Sequence, residues 1–191
     1  MPIRQKNFNF LTFHILQSVS IIVTCQDQRQ ELMCLLPELL SNGYDGKFEV
    51  IVVDKIHDKD MAEWLDEMEV HYANLSHTFC SSTVRGIDVH KLALTLGAKA
   101  SNYDWLAIMP ANTVLPAGDW LSHYLANCSE GVDIVMDAKD RGSLWKRFKS
   151  FIFRRKFSIF YPRHSILLCR RSIVLHPTPN IPKKRIIRLF L

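Results

Sequence analysis

Holding a divalent cation or moving a proton takes carboxylates, imidazoles or thiols gathered at one point. In open α/β sheets that point lies just past the carboxyl ends of buried strands. The stretch DWLAIMPANTVLP, residues 104–116, has the form of such a strand: an apolar run from Trp105 to Met109 stops at Pro110, and a second proline follows at Pro116. Carboxylates are expected there if a metal is held, and the residues at its end are Pro110, Ala111 and Asn112. Mg²⁺ and Mn²⁺ prefer hard, charged oxygens. Pro110 has no ligating side chain and Asn112 offers a neutral carbonyl, so no divalent cofactor is expected. His71, His77 and Cys80 make a loose metal-like spacing, but structural zinc needs four convergent ligands, so no metal site is expected there either. Five cysteines (Cys25, Cys34, Cys80, Cys128, Cys169) are scattered without a CxxC pair. They read as small core residues of a reducing compartment.

The elements that would position these residues follow from hydrophobic patterning. VSIIVT (19–24) and FEVIVVD (48–54) are β-branched runs without alternation, as expected of strands buried on both faces. Between them Asp27 is expected to begin a helix, with Gln30 as capping-box partner, an apolar stripe of Leu32, Met33, Leu35, Leu36, Leu39 and Leu40, a bend at Pro37 and a stop at Asn42-Gly43. A short helix with Met61, Trp64, Leu65 and Met68 on one face follows, then an irregular stretch over 71–88. HKLALTLGAKAS (90–101) reads as a helix whose interior Gly97 marks close packing against the sheet. Trp120, Leu121, Tyr124 and Leu125 mark another helix, VDIVM (132–136) a strand, and SILLCRRSIVL (165–175) a strand leading into a turn or short helix. HPTPNIP (176–182) cannot continue regular structure, and KKRIIRLFL closes the chain. Alternating strands and helices predict an α/β fold with a mostly parallel sheet flanked by helices.

Charge is unevenly distributed. Residues 1–138 hold 9 Lys/Arg and 18 Asp/Glu, whereas residues 139–191 hold 15 Lys/Arg and one acid, Asp140. Such a split predicts an acidic body and a basic segment facing an anionic partner. Within that segment, SLWKRFKSFIFRRKF (143–157) has Leu144, Trp145, Phe148, Phe151 and Ile152 at the spacing of one helical face. Lys146, Arg147, Lys149, Arg154, Arg155 and Lys156 occupy the remainder, a basic amphipathic helix suited to an anionic membrane or partner surface. Nucleic acid is not the expected partner, because helical spacing explains the interleaved aromatics as an apolar face. Residues 7–26 carry no charged side chain, yet Asn7, Asn9, Thr12, His14, Gln17, Ser18, Ser20, Thr24 and Gln26 make them too polar for a membrane span. No small-residue cleavage site marks a secretory signal.

Taken in order, these segments resemble glycosyltransferase family 2, inverting enzymes with the GT-A fold. VSIIVTCQDQRQEL resembles the opening strand and nucleotide loop, and FEVIVVD the second strand, whose terminal acid contacts the nucleobase. HKLALTLGAKASNYDWLAIMPANTVLPAGDWL is similar to the stretch that runs through the metal-binding Asp-x-Asp, and YPRHSILLCRRSIVL to the acceptor-side segment ending Tyr-Arg-Arg. The resemblance covers about residues 18–175. It implies an N-terminal extension (1–17), a nucleotide-sugar-binding domain (18–138) and a basic, partial acceptor-side segment and tail (139–191). It implies a UDP- or GDP-linked donor held by Thr24, Cys25, Gln26, Asp27, Asp54, Lys91, Ala111 and Asn112, with Lys91 near the phosphates. It also implies a glycan or lipid-linked acceptor and a cytoplasmic chain, peripheral at the inner face of the membrane.

The departures from the family pattern are acids. Asp-x-Asp falls on Pro110-Ala111-Asn112, the second acid near Asp54 is Lys55, and nothing acidic follows Asp140 where the general base would stand. Inverting transfer needs a base for the acceptor hydroxyl and positive charge on the leaving diphosphate. Lys91 and the basic residues of 139–163 are the available cations, and His164 and His176 the available stand-ins for a base. Two readings stay open: a short transferase whose activity these losses put in question, and a non-catalytic binding or scaffold module docking through its basic segment.

Overall fold

The computed structural model describes residues 16–80, 88–137, 166–176 and 185–189. Seven strands form one sheet: β1 (Val19–Cys25), β2 (Phe48–Asp54), β3 (Leu75–Phe79), β4 (Trp105–Pro110), β5 (Ile134–Asp137), β6 (Leu167–Arg170) and β7 (Ile186–Leu189). Among the described residues five helices accompany them: α1 (Arg29–Leu40), α2 (Lys59–His71), α3 (Val89–Ala100), α4 (Trp120–Leu125) and α5 (Arg171–Leu175). The spatial order is β3-β2-β1-β4-β6-β5-β7. Strands β1 to β4 pair in parallel, as do β5 and β7, while β6 runs antiparallel between β4 and β5. The expected mostly parallel, helix-flanked sheet is what forms.

The unbroken apolar runs have a simple cause: both faces of the central strands are covered. Val19, Ile21, Val23, Val50, Val52, Trp105, Ala107 and Met109 share one core with α1, α2 and α4. Ile22, Ile51, Val53, Leu106 and Ile108 share the other with α3 and α5. Gly97 of α3 is what lets that second layer close: a Cβ there would lie 2.7 Å from Ile22 Cγ2. At the amino-terminal edge, Glu49 accepts from Ser20 Oγ at 2.6 Å and from Asn102 N and Nδ2 at 2.7 and 2.6 Å. That network fixes the turn into β4 beside β1 and so sets where β4 ends.

Several expectations need correction. The stretch 71–88 holds β3, an edge strand whose Ser76, His77 and Thr78 dilute its apolar signal. Helix α1 begins at Arg29, not Asp27; its N-cap is Gln28, whose side chain accepts from Gln26 N rather than capping the helix. It ends at Leu40, two residues before Asn42, which still closes it by donating Nδ2 to Leu39 O. Past residue 139 the chain rejoins the sheet as β6 and β7, and Arg185 pairs with the buried Asp133 beside β5. The basic segment 143–157 with Lys146, Arg147, Lys149, Arg154, Arg155 and Lys156, and also Asp140 and His164, lie outside the described residues.

Candidate site at the strand ends

Strand order locates the site. From β1 the chain builds outward to β2 and β3 on one side, then crosses to β4 on the other. Parallel sheets leave a crevice where the order reverses this way, beyond the carboxyl ends of the two strands. Here those ends are Thr24 and Cys25 of β1 and Pro110 of β4, with Thr24 opposite Pro110 and Cys25 opposite Asp54 of β2. The structure therefore brings together Thr24–Asp27, Asp54 and Pro110–Asn112 from three separate parts of the sequence.

Pro110 ends β4 because it has no N–H for the ladder. The next residue takes over, Ala111 N donating to Thr24 O at 3.0 Å. Pro110 O then accepts from Thr113 N at 3.1 Å and from Thr113 Oγ1 at 2.7 Å, closing a turn. Ala111 is buried and Asn112 half-buried. This corner supplies a spent carbonyl, a methyl group and a neutral amide, which is not the charged oxygen set that Mg²⁺ or Mn²⁺ takes.

Asp54 is 4% exposed. Its Oδ1 accepts from Ile56 N at 2.9 Å and its Oδ2 from Asp58 N at 2.7 Å, so the carboxylate clamps the loop that follows β2. In that loop His57 adopts a left-handed φ of 59°, and its ring lies 3.8 Å from that of Phe79. Asp58 then caps α2, accepting from Asp60 N and Met61 N. Asp27 is exposed at the start of the β1–α1 loop. Burial pushes the Cys25 thiol up to about 11, so it is neutral at ordinary pH, donating to Met61 Sδ.

The residue that sequence reasoning undervalued is Lys55. It is 7% exposed, its N–H donates to Cys25 O at 2.9 Å, and its Nζ stands 3.3 Å from His90 Nδ1 at the start of α3. Burial holds the ammonium below the usual lysine value, with Cys25, Cys80, Asp27 and Asp54 pulling the other way. His90 is lowered too, by partial desolvation of its ring first and the Lys55 charge second, with Asp88 opposing. The only sequence signal was a lysine standing where the family pattern has an acid. Lys91 follows His90 in α3, half-buried, with its N–H accepted by Asp88.

Other candidates lie elsewhere. The Arg170–Arg171 pair sits at the opposite edge, since β6 is antiparallel: Arg170 stacks 4.3 Å from the Trp105 ring and Arg171 donates to Ser101 O at 2.7 Å. His176 is the C-cap of α5, which starts from that edge. His77 meets neither His71 nor Cys80. It pairs with Glu69 at 2.6 Å and lies 4.0 Å from Asp66, while Cys80 Sγ donates to Asp54 O at 3.4 Å. A cleft of about 330 Å³ opens between the end of α1 and the loop entering α4, lined by Glu38, Asn42, Pro116 and Asp119, on a different side from the strand ends.

No family model matches this chain, and no curated protein matches it. Solved structures do. A mannosyltransferase from Pyrobaculum calidifontis, in complex with GDP-Man and Mn²⁺, is similar with a TM-score of 0.58 and 20% identity over 82% of this chain and 45% of that one. Glucosyl-3-phosphoglycerate synthase from Mycobacterium tuberculosis, in complex with phosphoglyceric acid, gives 0.52 and 14% over 82% and 58%. A 4-diphosphocytidyl-2C-methyl-D-erythritol synthase from Anaerococcus prevotii gives 0.53 and 16% over 83% and 74%. The class these likenesses define is the GT-A-like, nucleotide-diphospho-sugar transferase fold. The chain spans about half the length of the two glycosyltransferases.

Proposed function

We propose that this chain is a nucleotide-sugar-binding protein related to family 2 glycosyltransferases and lacking their metal-binding carboxylates. The observation that carries the reading is the convergence of Thr24–Asp27, Asp54 and Pro110–Asn112 at the β1/β4 switch point of a GT-A-like sheet. A UDP- or GDP-linked donor lies over the ends of β1 and β2 in this reading, with Lys91 toward the phosphates. Asp54 both holds its loop and offers its remaining lone pairs to a base N–H. Sugar transfer to a glycan or lipid-linked acceptor is the ancestral activity. With Pro110 and Asn112 in place of acids, donor binding does not depend on a metal.

Isothermal titration with UDP, GDP and their sugars, in EDTA and in Mn²⁺, tests this. The expected result is binding at or below millimolar concentration that changes less than tenfold between the two, a margin of about 1.4 kcal/mol. Absence of binding by every nucleotide sinks the reading, and a larger Mn²⁺ effect sinks the metal-independent part of it. A second reading, docking on an anionic membrane surface through the basic segment, is favoured by the charge split between residues 1–138 and 139–191.

A further inference from the structure

The corner that would hold a cation, Pro110–Asn112, has the wrong donors for one, and a ligand diphosphate at the strand ends still needs positive charge nearby. Lys55 is the buried cation at that place. Its backbone is pinned to the last residue of β1 by the bond to Cys25 O. Its Nζ meets an imidazole nitrogen, and among the described residues it belongs to no ion pair with a carboxylate within 4 Å. A nearly buried ammonium without a paired anion is unfavourable for folding alone, because its lost hydration is repaid only by a neutral acceptor. An ammonium donates and cannot accept, so the bond to Lys55 assigns His90 Nδ1 as acceptor and places the His90 proton on Nε2. His90 itself is exposed. The pair thus presents an ammonium and an imidazole N–H, two donors and a charge, beside the switch point.

We propose that Lys55 and His90 form a phosphate-binding pair that takes the diphosphate of a nucleoside diphosphate ligand, doing with protein cations what a divalent metal would otherwise do. The assignment of the phosphate to a nucleotide rests on the function proposed above; the anion pair itself does not. A bound phosphate repays the Lys55 desolvation and, by accepting from Lys55 Nζ in place of the imidazole, frees His90 Nδ1 to take a proton, so binding tightens from pH 8 to pH 6. The other titratable groups facing the pair are the thiols of Cys25 and Cys80 and the carboxylates of Asp27 and Asp54 around Lys55, and Asp88 beside His90. The two thiols are raised by burial and stay neutral over this range.

The test is titration of the full chain in EDTA with uridine, UMP, UDP, GDP and pyrophosphate, for the natural protein, Lys55→Met and His90→Ala. Expected are affinities rising from uridine through UMP to UDP, a tenfold or greater loss of UDP, GDP and pyrophosphate binding in Lys55→Met, and about threefold in His90→Ala. Uridine binding stays within twofold, and Lys55→Met melts no lower than the natural protein. UDP affinity within twofold of natural in Lys55→Met overturns the proposal, as does equal loss of uridine and UDP. If Lys55→Met does not fold, a His90→Ala variant with unchanged UDP affinity and unchanged pH dependence overturns it instead. Pyrophosphate bound and lost with Lys55, while UDP and GDP are ignored, leaves the anion pair standing and removes the nucleotide reading. No binding of nucleotide or pyrophosphate removes both.

Discussion

Asp54 and Lys55 are adjacent, both nearly buried, and oppositely served by their surroundings. The carboxylate accepts two backbone N–H bonds, whereas the ammonium has an imidazole. Removing the carboxylate leaves two N–H groups of the 55–58 loop without their acceptor, at about 1–3 kcal/mol for each one that stays dry. Asp54→Ala is therefore expected to lower unfolding free energy by about 2–4 kcal/mol in urea titration, and Asp54→Asn by less, since one amide oxygen can still accept. Stability should also carry a pH signature of the Lys55–His90 pair. For both groups the folded pKa lies below the unfolded one, so the unfolded chain binds more protons and stability rises with pH. For His90 the penalty is present at acid pH and is gone once pH exceeds imidazole's ordinary 6.5; for Lys55 the window lies in the range below 10.5. Urea unfolding between pH 5 and 7.5 should show the natural protein losing stability relative to His90→Ala as pH falls. Parallel curves would mean that His90 titrates alike in both states. Of these two residues the sequence made Asp54 legible as a strand end, because an acid closes an apolar run. Its clamp role was hidden, because it depends on a loop that turns through His57 at positive φ. The burial of Lys55 was hidden because lysine is ordinarily exposed.

At the scale of elements, what could be read was whatever is covered on both faces. The β1, β2 and β4 runs announce themselves because apolar residues fill successive positions without alternation, and Gly97 in an apolar helix announced close packing on the sheet, which is its contact with Ile22. What could not be read was decided by partners distant in sequence. Strand β3 is five residues at the sheet edge with a polar middle, and β7 reads as a basic tail until β5 is there to pair with it. Thr24, Cys25, Asp54 and Pro110 stand at adjacent strand ends, while the reversal of β6 puts Arg170 opposite Trp105 at the other edge of the sheet. The Gly97 contact makes a sharp prediction. Alanine gains about 1 kcal/mol of helix propensity over glycine, but its Cβ meets Ile22 at 2.7 Å and Val53 at 3.3 Å, two side chains that are themselves fully buried. Overpacking of this kind typically amounts to about 1–3 kcal/mol, so Gly97→Ala should be destabilising by about 1 kcal/mol net. That corresponds to a drop in Tm of roughly 2–4 °C at this chain length, and a rise in Tm would show that α3 can retreat from the sheet. Glu49→Ala should act on the same architecture from the other edge, lowering Tm and loosening the register of β4 against β1.

Over the whole molecule the dominant electrostatic fact is segregation. The first 138 residues carry twice as many acids as bases, and the last 53 carry 15 bases against one acid. In the part of the basic region that joins the sheet, three arginines are engaged internally: Arg170 on Trp105, Arg171 on Ser101 O and Arg185 on Asp133. Those three already have partners within the fold. Most of the charge left over is in the sequence between β5 and β6, where Lys146, Arg147, Lys149, Arg154, Arg155 and Lys156 stand among Trp145, Phe148 and Phe151. No described helix is long and apolar enough to cross a membrane. Each basic residue near an anionic bilayer contributes up to about 1 kcal/mol, and the attraction fades within a Debye length. The acidic body works against this, repelled by the same surface, so net attachment is expected only where the basic segment leads. Co-sedimentation with anionic vesicles should therefore show binding that falls as salt is raised from 50 to 300 mM. Arg154→Glu with Arg155→Glu should weaken it at low salt, and neutral vesicles should recover little protein. A preference for DNA over anionic vesicles at matched salt would move the segment to nucleic acid, and equal recovery with neutral and anionic vesicles would leave apolar contact rather than charge as the cause.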